Sequence, residues 1–450
     1  MQNRKLVVIG GDAAGMSAAS KVRREHPDRS IVVFERGRFT SYAACGMPYL
    51  VAGMVEAPEQ LIARSPETFR EKQRIDVRTR HEVVEIDPAR KRIRVRNLDA
   101  SLEFWEGWDD LLIATGASPI EPDVPNRAAE GIFSLSTLQS GLDVFEDMQR
   151  RPPRSAVVVG GGYVGIEMAE ALLERDVPVS LIDMAPQVMN TLDPDMAEDI
   201  ATFMREAGVR LFLEERLERF DVEASGRVRS VVTDQRAVEA DLVILGLGIR
   251  PNSALAREAG IQLGPSGAIR VDRRMRTSVA DIWAAGDCAE SFHRVKEEPT
   301  FIALGTVANK HGLVAGTNLS GGFLEFPGVL GTAITRFRDL EIARTGLSEK
   351  EAKALGIACR SRTIEALTRS HYFPGAAKLK VKLVVEADTG RLLGGQIVGR
   401  GGAGKRIDTL ATAITARMTA EQLVYLDLAY APPFSPVWDP VQTAARTLSG

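Results

Sequence analysis

Two segments of this chain repeat one pattern, and the repeat constrains the fold more than any other feature. Residues 5–35 run KLVVIG, GDAAG, MSAASKVRREH and SIVVFER, an apolar strand, a glycine turn, a helix and a second strand. Residues 155–183 repeat it as SAVVVGGGYVGIEMAEALLERDVPVSLID. Gly10 and Gly15 in the first copy, and Gly160, Gly162 and Gly165 in the second, allow a tight turn and close packing of helix on strand. The helix N-terminus then faces a pyrophosphate. Each second strand ends in an acid, Glu35 or Asp183, placed to accept hydrogen bonds from ribose hydroxyls. One glycine turn alone is weak evidence. Two copies, each with strand, helix and terminal acid, imply two adenosine dinucleotides on two α/β units. In the first copy Asp12 stands where the second glycine of the fingerprint falls, so its charge must point away from the phosphates.

At 450 residues the chain exceeds what one core organises, and two or three domains follow. With 57 Lys+Arg against 60 Asp+Glu and no long like-charge block, neither nucleic acid nor an anionic membrane is an expected partner. No stretch reaches the ~18 apolar residues of a membrane helix. MQNRK runs straight into the strand LVVIG, leaving no room for a signal peptide, and three scattered cysteines suit a reducing compartment. A cytoplasmic protein is expected. No cluster has metal-ligand spacing. After Asp183 comes Met184-Ala185-Pro186, with no cation for a 2′-phosphate, so NADH is expected over NADPH, with NADPH possible.

Two further strand ends, WDDLLIATGASP with Thr115-Gly116 and TSVADIWAAGDCAE with Gly286-Asp287, follow the two units in order. Together they resemble the ATG and GD segments of flavoproteins with two dinucleotide-binding domains, which implies that Asp287 holds the ribitol of FAD. Ten residues after Glu35 comes TSYAACGMPYLVAG with Cys45. Through SYAACGMPY, GGGYVGIE, AAGDCAE, HYFPGAA, GKRID and YAPPFSPVWDP, the whole chain resembles the coenzyme A-disulfide reductase group of the FAD-dependent pyridine nucleotide–disulfide oxidoreductases.

The resemblance implies a fold of two Rossmann-like domains, for FAD and NAD, plus a C-terminal α+β dimerisation domain. Its segments are an FAD-binding part at 1–118, an NAD(H)-binding domain at 119–248, a second FAD-binding part at 249–325 and the dimerisation domain at 326–450. Alternating GTAITRF, LEIARTG, KLKVKLVVEA and LLGGQIVG, then helical RIDTLATAITARM, independently indicate the last.

Dithiol relatives carry C-x-x-x-x-C, but the fifth residue after Cys45 is Leu50. Cys45 therefore works alone, through a mixed disulfide with a small thiol or through a sulfenic acid. Relatives that use the sulfenic acid carry a histidine in the first turn, which here reads Gly11-Asp12-Ala13-Ala14, and the mixed disulfide is favoured. The expected thiolate is kept at low pKa by a helix terminus, the flavin and partner tyrosines. Cys288 and Cys359 are read as packing residues. No C-terminal His-Glu pair is present, and the resemblance transfers the proton-donor role to Tyr372 and Tyr430 of a partner subunit in a homodimer. It makes Tyr163 a gate over the flavin and Glu167 the acid near the nicotinamide; the usual lysine partner of that acid is replaced by Pro48. Arg36 joins the cofactor-binding set, and Arg23, Arg24 and Ser41 the substrate-binding set. The implied substrate is a small disulfide, coenzyme A disulfide or polysulfide. An NADH oxidase and a non-enzymatic flavin redox sensor are the alternatives.

Overall fold

The computed structural model describes residues 4–449; the first three residues of MQNRK and residue 450 lie outside it. Five parallel strands form the first sheet, in the order Ile282–Ala284, Asp110–Ile113, Leu6–Ile9, Ile31–Glu35 and Asp76–Thr79. The central strands are buried on both faces, which is why they are written as unbroken apolar runs. Asp110 is the polar exception, and the fully buried Arg29 guanidinium neutralises it at 2.5 Å while also bonding the carbonyls of Arg4 and Leu319.

The edge strand Ile282–Ala284 comes from far along the chain, so the first unit is discontinuous. The chain leaves it through Ala117–Pro119 and returns through Ile249–Pro251, and these two connectors pair antiparallel. The returning part adds the helix Gly305–Leu319, which lies across the helix Ala13–Glu25. Two glycines set their separation: a Cβ on Gly312 would lie 2.4 Å from the Ala14 carbonyl oxygen, and one on Gly316 2.8 Å from that of Ala18.

The second unit repeats the design, with parallel strands Arg210–Leu213, Val179–Asp183, Ala156–Val159, Leu242–Leu245 and Ile132–Ser134 in that order. Both units carry a three-stranded antiparallel excursion, at His81–Asp87, Arg92–Asn97 and Leu102–Gly107, and at Leu217–Val222, Val228–Thr233 and Ala237–Glu239.

The C-terminal α+β layer is a five-stranded antiparallel sheet, Ala333–Phe337, Leu340–Gly346, Leu392–Gly399, Lys378–Glu386 and Cys359–Leu367. The helix Ala403–Thr415 and the shorter Ala420–Val424 and Pro440–Arg446 pack on it over a separate apolar core. Buried polar pairs fasten this layer to the second nucleotide unit: Gln396 donates to Asp193 Oδ2 at 2.5 Å and accepts from Asp193 N at 2.8 Å, with Lys382 Nζ 3.3 Å from the same carboxylate. Among the described residues no helix is long and apolar enough to cross a membrane.

Candidate active site

The two glycine turns are built alike. Gly10 and Gly160 sit at φ +107° and +106°, and a Cβ on Gly15 or Gly165 would meet the carbonyl oxygen of Gly10 or Gly160 at 2.0 or 1.9 Å. Only glycine fits at these positions. The helices that follow begin at Asp12 and Gly162, and neither N-terminus is capped by its own side chain. Their first-turn N–H groups are available to an anion. The terminal acids are fixed against the turns: Glu35 accepts from Gly11 N at 2.7 Å and Gly37 N at 2.6 Å, and Asp183 from Gly161 N at 2.6 Å and Ala185 N at 2.8 Å. Arg36 projects outward, 4.0 Å from Glu82. Asp12 has an extended backbone at φ −107°, open to any residue, and its carboxylate turns to Tyr42 N at 3.3 Å. Burial pushes it up to about 6, with the charge of Glu35 acting in the same direction.

At the end of Ile282–Ala284, Asp287 Oδ1 is buried with no hydrogen-bond partner, and burial pushes this carboxyl up to about 6. A buried carboxylate oxygen awaiting a donor, beside an uncapped helix terminus and a ribose acid, fits an FAD with its ribitol at Asp287. Beneath the turn, the fully buried His311 accepts from Gly286 N at 3.3 Å through Nδ1, contacts Ser291 Oγ at 3.1 Å through Nε2 and stands edge-on to Phe326. Burial holds its pKa at about 4, so the ring is neutral. Thr115 and Gly116 are tied to Asn252: the Thr115 hydroxyl donates to Asn252 O at 2.6 Å, and Asn252 returns bonds to both their carbonyls at 2.8 and 2.9 Å. Asn252 and His311 were absent from the sequence reading, since neither lies in a glycine turn or beside the thiol.

Cys45 lies in the turn Ala44–Gly46, ahead of the helix Met47–Ala52, and is exposed. Leu50 is fully buried in the core, so no second thiol approaches from the same helix. Cys288 is buried and donates to the Ile113 and Ala285 carbonyls, and Cys359 stands on the C-terminal sheet. The helix Met47–Ala52 packs on the helix Tyr163–Leu173, which brings the second unit to the thiol. Tyr163, at the first position of that helix, joins the apolar cluster that holds Tyr42 and Ala44, and burial pushes its phenol up. Glu167, one turn on, accepts from the Thr335 hydroxyl at 2.8 Å, and burial pushes its carboxyl up. That hydroxyl comes from the C-terminal layer, and Glu167 has no ion pair among the described residues.

Within the chain alone, desolvation, then the negative charge of Glu167 and, more weakly, of Asp287, push the Cys45 thiol up. A lowered pKa therefore has to come from positive charge or hydrogen bonds brought by bound molecules or a second subunit. Tyr49 and Arg336, also unread in the sequence, flank the site: the guanidinium lies 5.6 Å from the Tyr49 ring and 3.6 Å from Glu170.

The remaining candidates divide. Ser41, at φ 51°, donates from its backbone N to Gly11 O at 3.2 Å and so lies against the first turn. Arg24 is exposed at the far end of the helix Ala13–Glu25. Arg23 bonds the carbonyls of Pro27 at 2.5 Å and Arg74 at 2.6 Å through its terminal nitrogens and clamps the helix end, while its Nε has no hydrogen-bond partner. Tyr372 and Tyr430 are 65% and 48% exposed on the C-terminal layer with Phe434 and Trp438, on segments joined by Ser370 N to Pro432 O. Arg406 ties these segments down through Thr368 O, Phe434 O and Asp439. The charges that reach Cys45 within the chain come from Glu167 and Asp287, not from this face.

The model for pyridine nucleotide-disulphide oxidoreductases matches residues 4–312, and the dimerisation domain of the same family matches residues 332–440. The chain is 42% identical to the NAD(P)H coenzyme A polysulfide/persulfide reductase of Pyrococcus horikoshii, over 99% of this chain and 98% of that protein. It is 30% identical to the coenzyme A disulfide reductase of Staphylococcus aureus, over 96% of each. The structure superposes on reduced Bacillus anthracis CoADR-RHD with a TM-score of 0.96 and 35% identity, covering 100% of this chain and 80% of that one. Paired glycine turns, a split first unit, a lone exposed thiol and these matches together make the chain a member of the FAD-dependent pyridine nucleotide-disulphide oxidoreductase family, with a dimerisation domain at its C-terminus.

Proposed function

We propose that this enzyme uses NADH to reduce the sulfur–sulfur bond of a small coenzyme A-linked substrate, with Cys45 as the sole redox thiol and coenzyme A disulfide as the simplest such substrate. The observation that carries the reading is the exposed Cys45 with buried Leu50 where a second thiol would stand. When bound, FAD supplies the two-electron relay between nicotinamide and thiol. Glu35, the N-terminus of the helix Ala13–Glu25 and Asp287 hold it. Asp183 and the N-terminus of the helix Tyr163–Leu173 would hold NADH, with Tyr163 and Glu167 placed on the nicotinamide side of the flavin.

The Cys45 Sγ attacks one sulfur of the substrate and forms a mixed disulfide as the other sulfur leaves as a thiolate. Two electrons then cleave the mixed disulfide, which restores the Cys45 thiolate and releases the second thiol. Each departing thiolate needs a proton, and the partner subunit's Tyr372 and Tyr430 supply it in a homodimer. The exposed aromatic face and the dimerisation-domain match support that assembly. A phenol, with an ordinary pKa of about 10, donates a hydrogen bond readily to a sulfur anion. Arg23, Arg24 and Ser41 are the proposed substrate contacts, and the reducing conditions that keep Cys45 free suit the cytoplasm.

A second reading, a coenzyme A persulfide or polysulfide as the physiological acceptor, is favoured by the name of the Pyrococcus relative. The same Cys45 chemistry serves both. Anaerobic NADH consumption with coenzyme A disulfide, glutathione disulfide and polysulfide side by side, and oxygen separately, tests the proposal. Turnover with coenzyme A disulfide supports it, turnover with polysulfide alone selects the second reading, and turnover with oxygen alone overturns both.

A further inference from the structure

Far from the thiol, a cavity of about 210 Å³ opens between the second part of the first unit and the C-terminal layer, and four of its lining side chains are arginines. Arg273 and Arg294 come from the first unit, Arg391 and Arg417 from the C-terminal layer. Two of the four have carboxylate partners, Arg417 with Glu297 at 3.1 Å and Arg391 with Glu386 at 3.6 Å. Arg273 and Arg294 have no ion pair among the described residues, so the cavity carries an excess of positive charge.

The guanidinium groups are also held in place. Arg273 lies 4.6 Å over the Phe292 ring, and Arg294 is fixed to Thr415 O at 3.1 Å. Arg391 keeps its Nε without a hydrogen-bond partner beside its ion pair with Glu386, as several other arginines of the chain keep theirs. Arg417 occupies the left-handed position after the helix Ala403–Thr415, at φ 57°, where glycine is the usual residue. Retaining arginine there costs backbone energy and places a cation at the cavity. The cavity lies at the C-terminal end of this helix, whereas Arg406 near its N-terminal end binds the segments of the exposed aromatic face. It is therefore separate from both the thiol and the aromatic face.

We infer that this cavity is a binding site for a compact polyphosphate anion, of which pyrophosphate is the smallest example. Planar guanidinium forks match phosphate oxygens two at a time, and the two arginines without an ion pair, flanked by two more in the same lining, suit an anion with more than one phosphate group. The site draws arginines from two domains, so an anion seated there bridges them.

Pyrophosphate titrated into the flavin-loaded enzyme at constant ionic strength, followed by calorimetry and by the melting temperature, tests this, with sulfate and orthophosphate as comparison anions. The expected result is saturable binding at one site per chain, tighter for pyrophosphate than for either comparison anion, with a rise in melting temperature. Arg273→Gln and Arg417→Gln each weaken binding by about tenfold, as loss of a charge-assisted contact does. Arg90→Gln, at an exposed arginine elsewhere, leaves it unchanged, and all three variants keep wild-type flavin content and NADH turnover. Absence of saturable binding to the wild type, equal affinity for sulfate, or unchanged binding in both cavity variants overturns the assignment.

Discussion

Replacing Gly312 with alanine is expected to loosen the flavin from a neighbouring helix, by displacing the helix end proposed to hold it. The new Cβ would lie 2.4 Å from the Ala14 carbonyl oxygen and 2.7 Å from Ser17 Cβ, against a practical minimum near 3.0 Å. The obstructing atom is backbone in the first turn of the helix Ala13–Glu25, so relief requires moving that helix end, the proposed seat of the FAD pyrophosphate, by about 0.6 Å. Overpacking of this kind costs about 1–3 kcal/mol. If the helix is pushed back into place only when FAD binds, a cost of about 2 kcal/mol weakens the flavin about 30-fold. Titration of the apoprotein with FAD measures it, with Gly305→Ala, whose Cβ meets nothing within 4 Å on the same helix, as control. Wild-type affinity in Gly312→Ala would refute the idea that this helix crossing positions the phosphate site.

Asp183→Ala combined with Met184→Arg should move the preference from NADH towards NADPH, since Met184 is 73% exposed beside the ribose acid and an arginine there meets a 2′-phosphate; an unchanged kcat/KM ratio for the two nucleotides would contradict the placement. Glu167→Gln removes a charge that raises the Cys45 pKa, so the pH profile of iodoacetamide alkylation at Cys45 should shift to lower pH, and a profile that stays put would show that Glu167 does not act on the thiol. Burial raises Asp287 from 3.8 to about 6 in the folded state, so its protonated form contributes stability that is fully present below 3.8 and lost as pH rises through about 6. Asp287→Asn should therefore flatten the decline of apoprotein Tm across that window, with Asp12 sustaining a residual slope of the same sign; a slope equal to wild type would refute the assignment.

Both nucleotide units were legible in the sequence because their steric demands fall within a short stretch: Gly10 with Gly15, and Gly160 with Gly165, answer to each other within one turn of chain. The excursions at 81–107 and 217–239 were not, because strands such as Arg92–Asn97, although they alternate charged and apolar residues as a half-buried strand does, belong to no local motif that marks their place in the fold. The strand Cys359–Leu367 escaped for the same reason. At the site, Cys45 and Leu50 spoke through local spacing. Thr335, Arg336, Asn252 and His311 act across long sequence separations, and only the folded chain brings Thr335 to Glu167 or His311 under Gly286. The thiol's raised pKa belongs to the same class, since it depends on burial and on a carboxylate from another domain.

The central claim, that electrons reach the substrate only through Cys45, is tested most directly by Cys45→Ser under anaerobic conditions. NADH should bleach the flavin of the variant as it does in the wild type, while steady-state NADH consumption with coenzyme A disulfide or polysulfide falls to background. Substrate turnover that survives in the variant, or a flavin that NADH no longer reduces, would contradict the account.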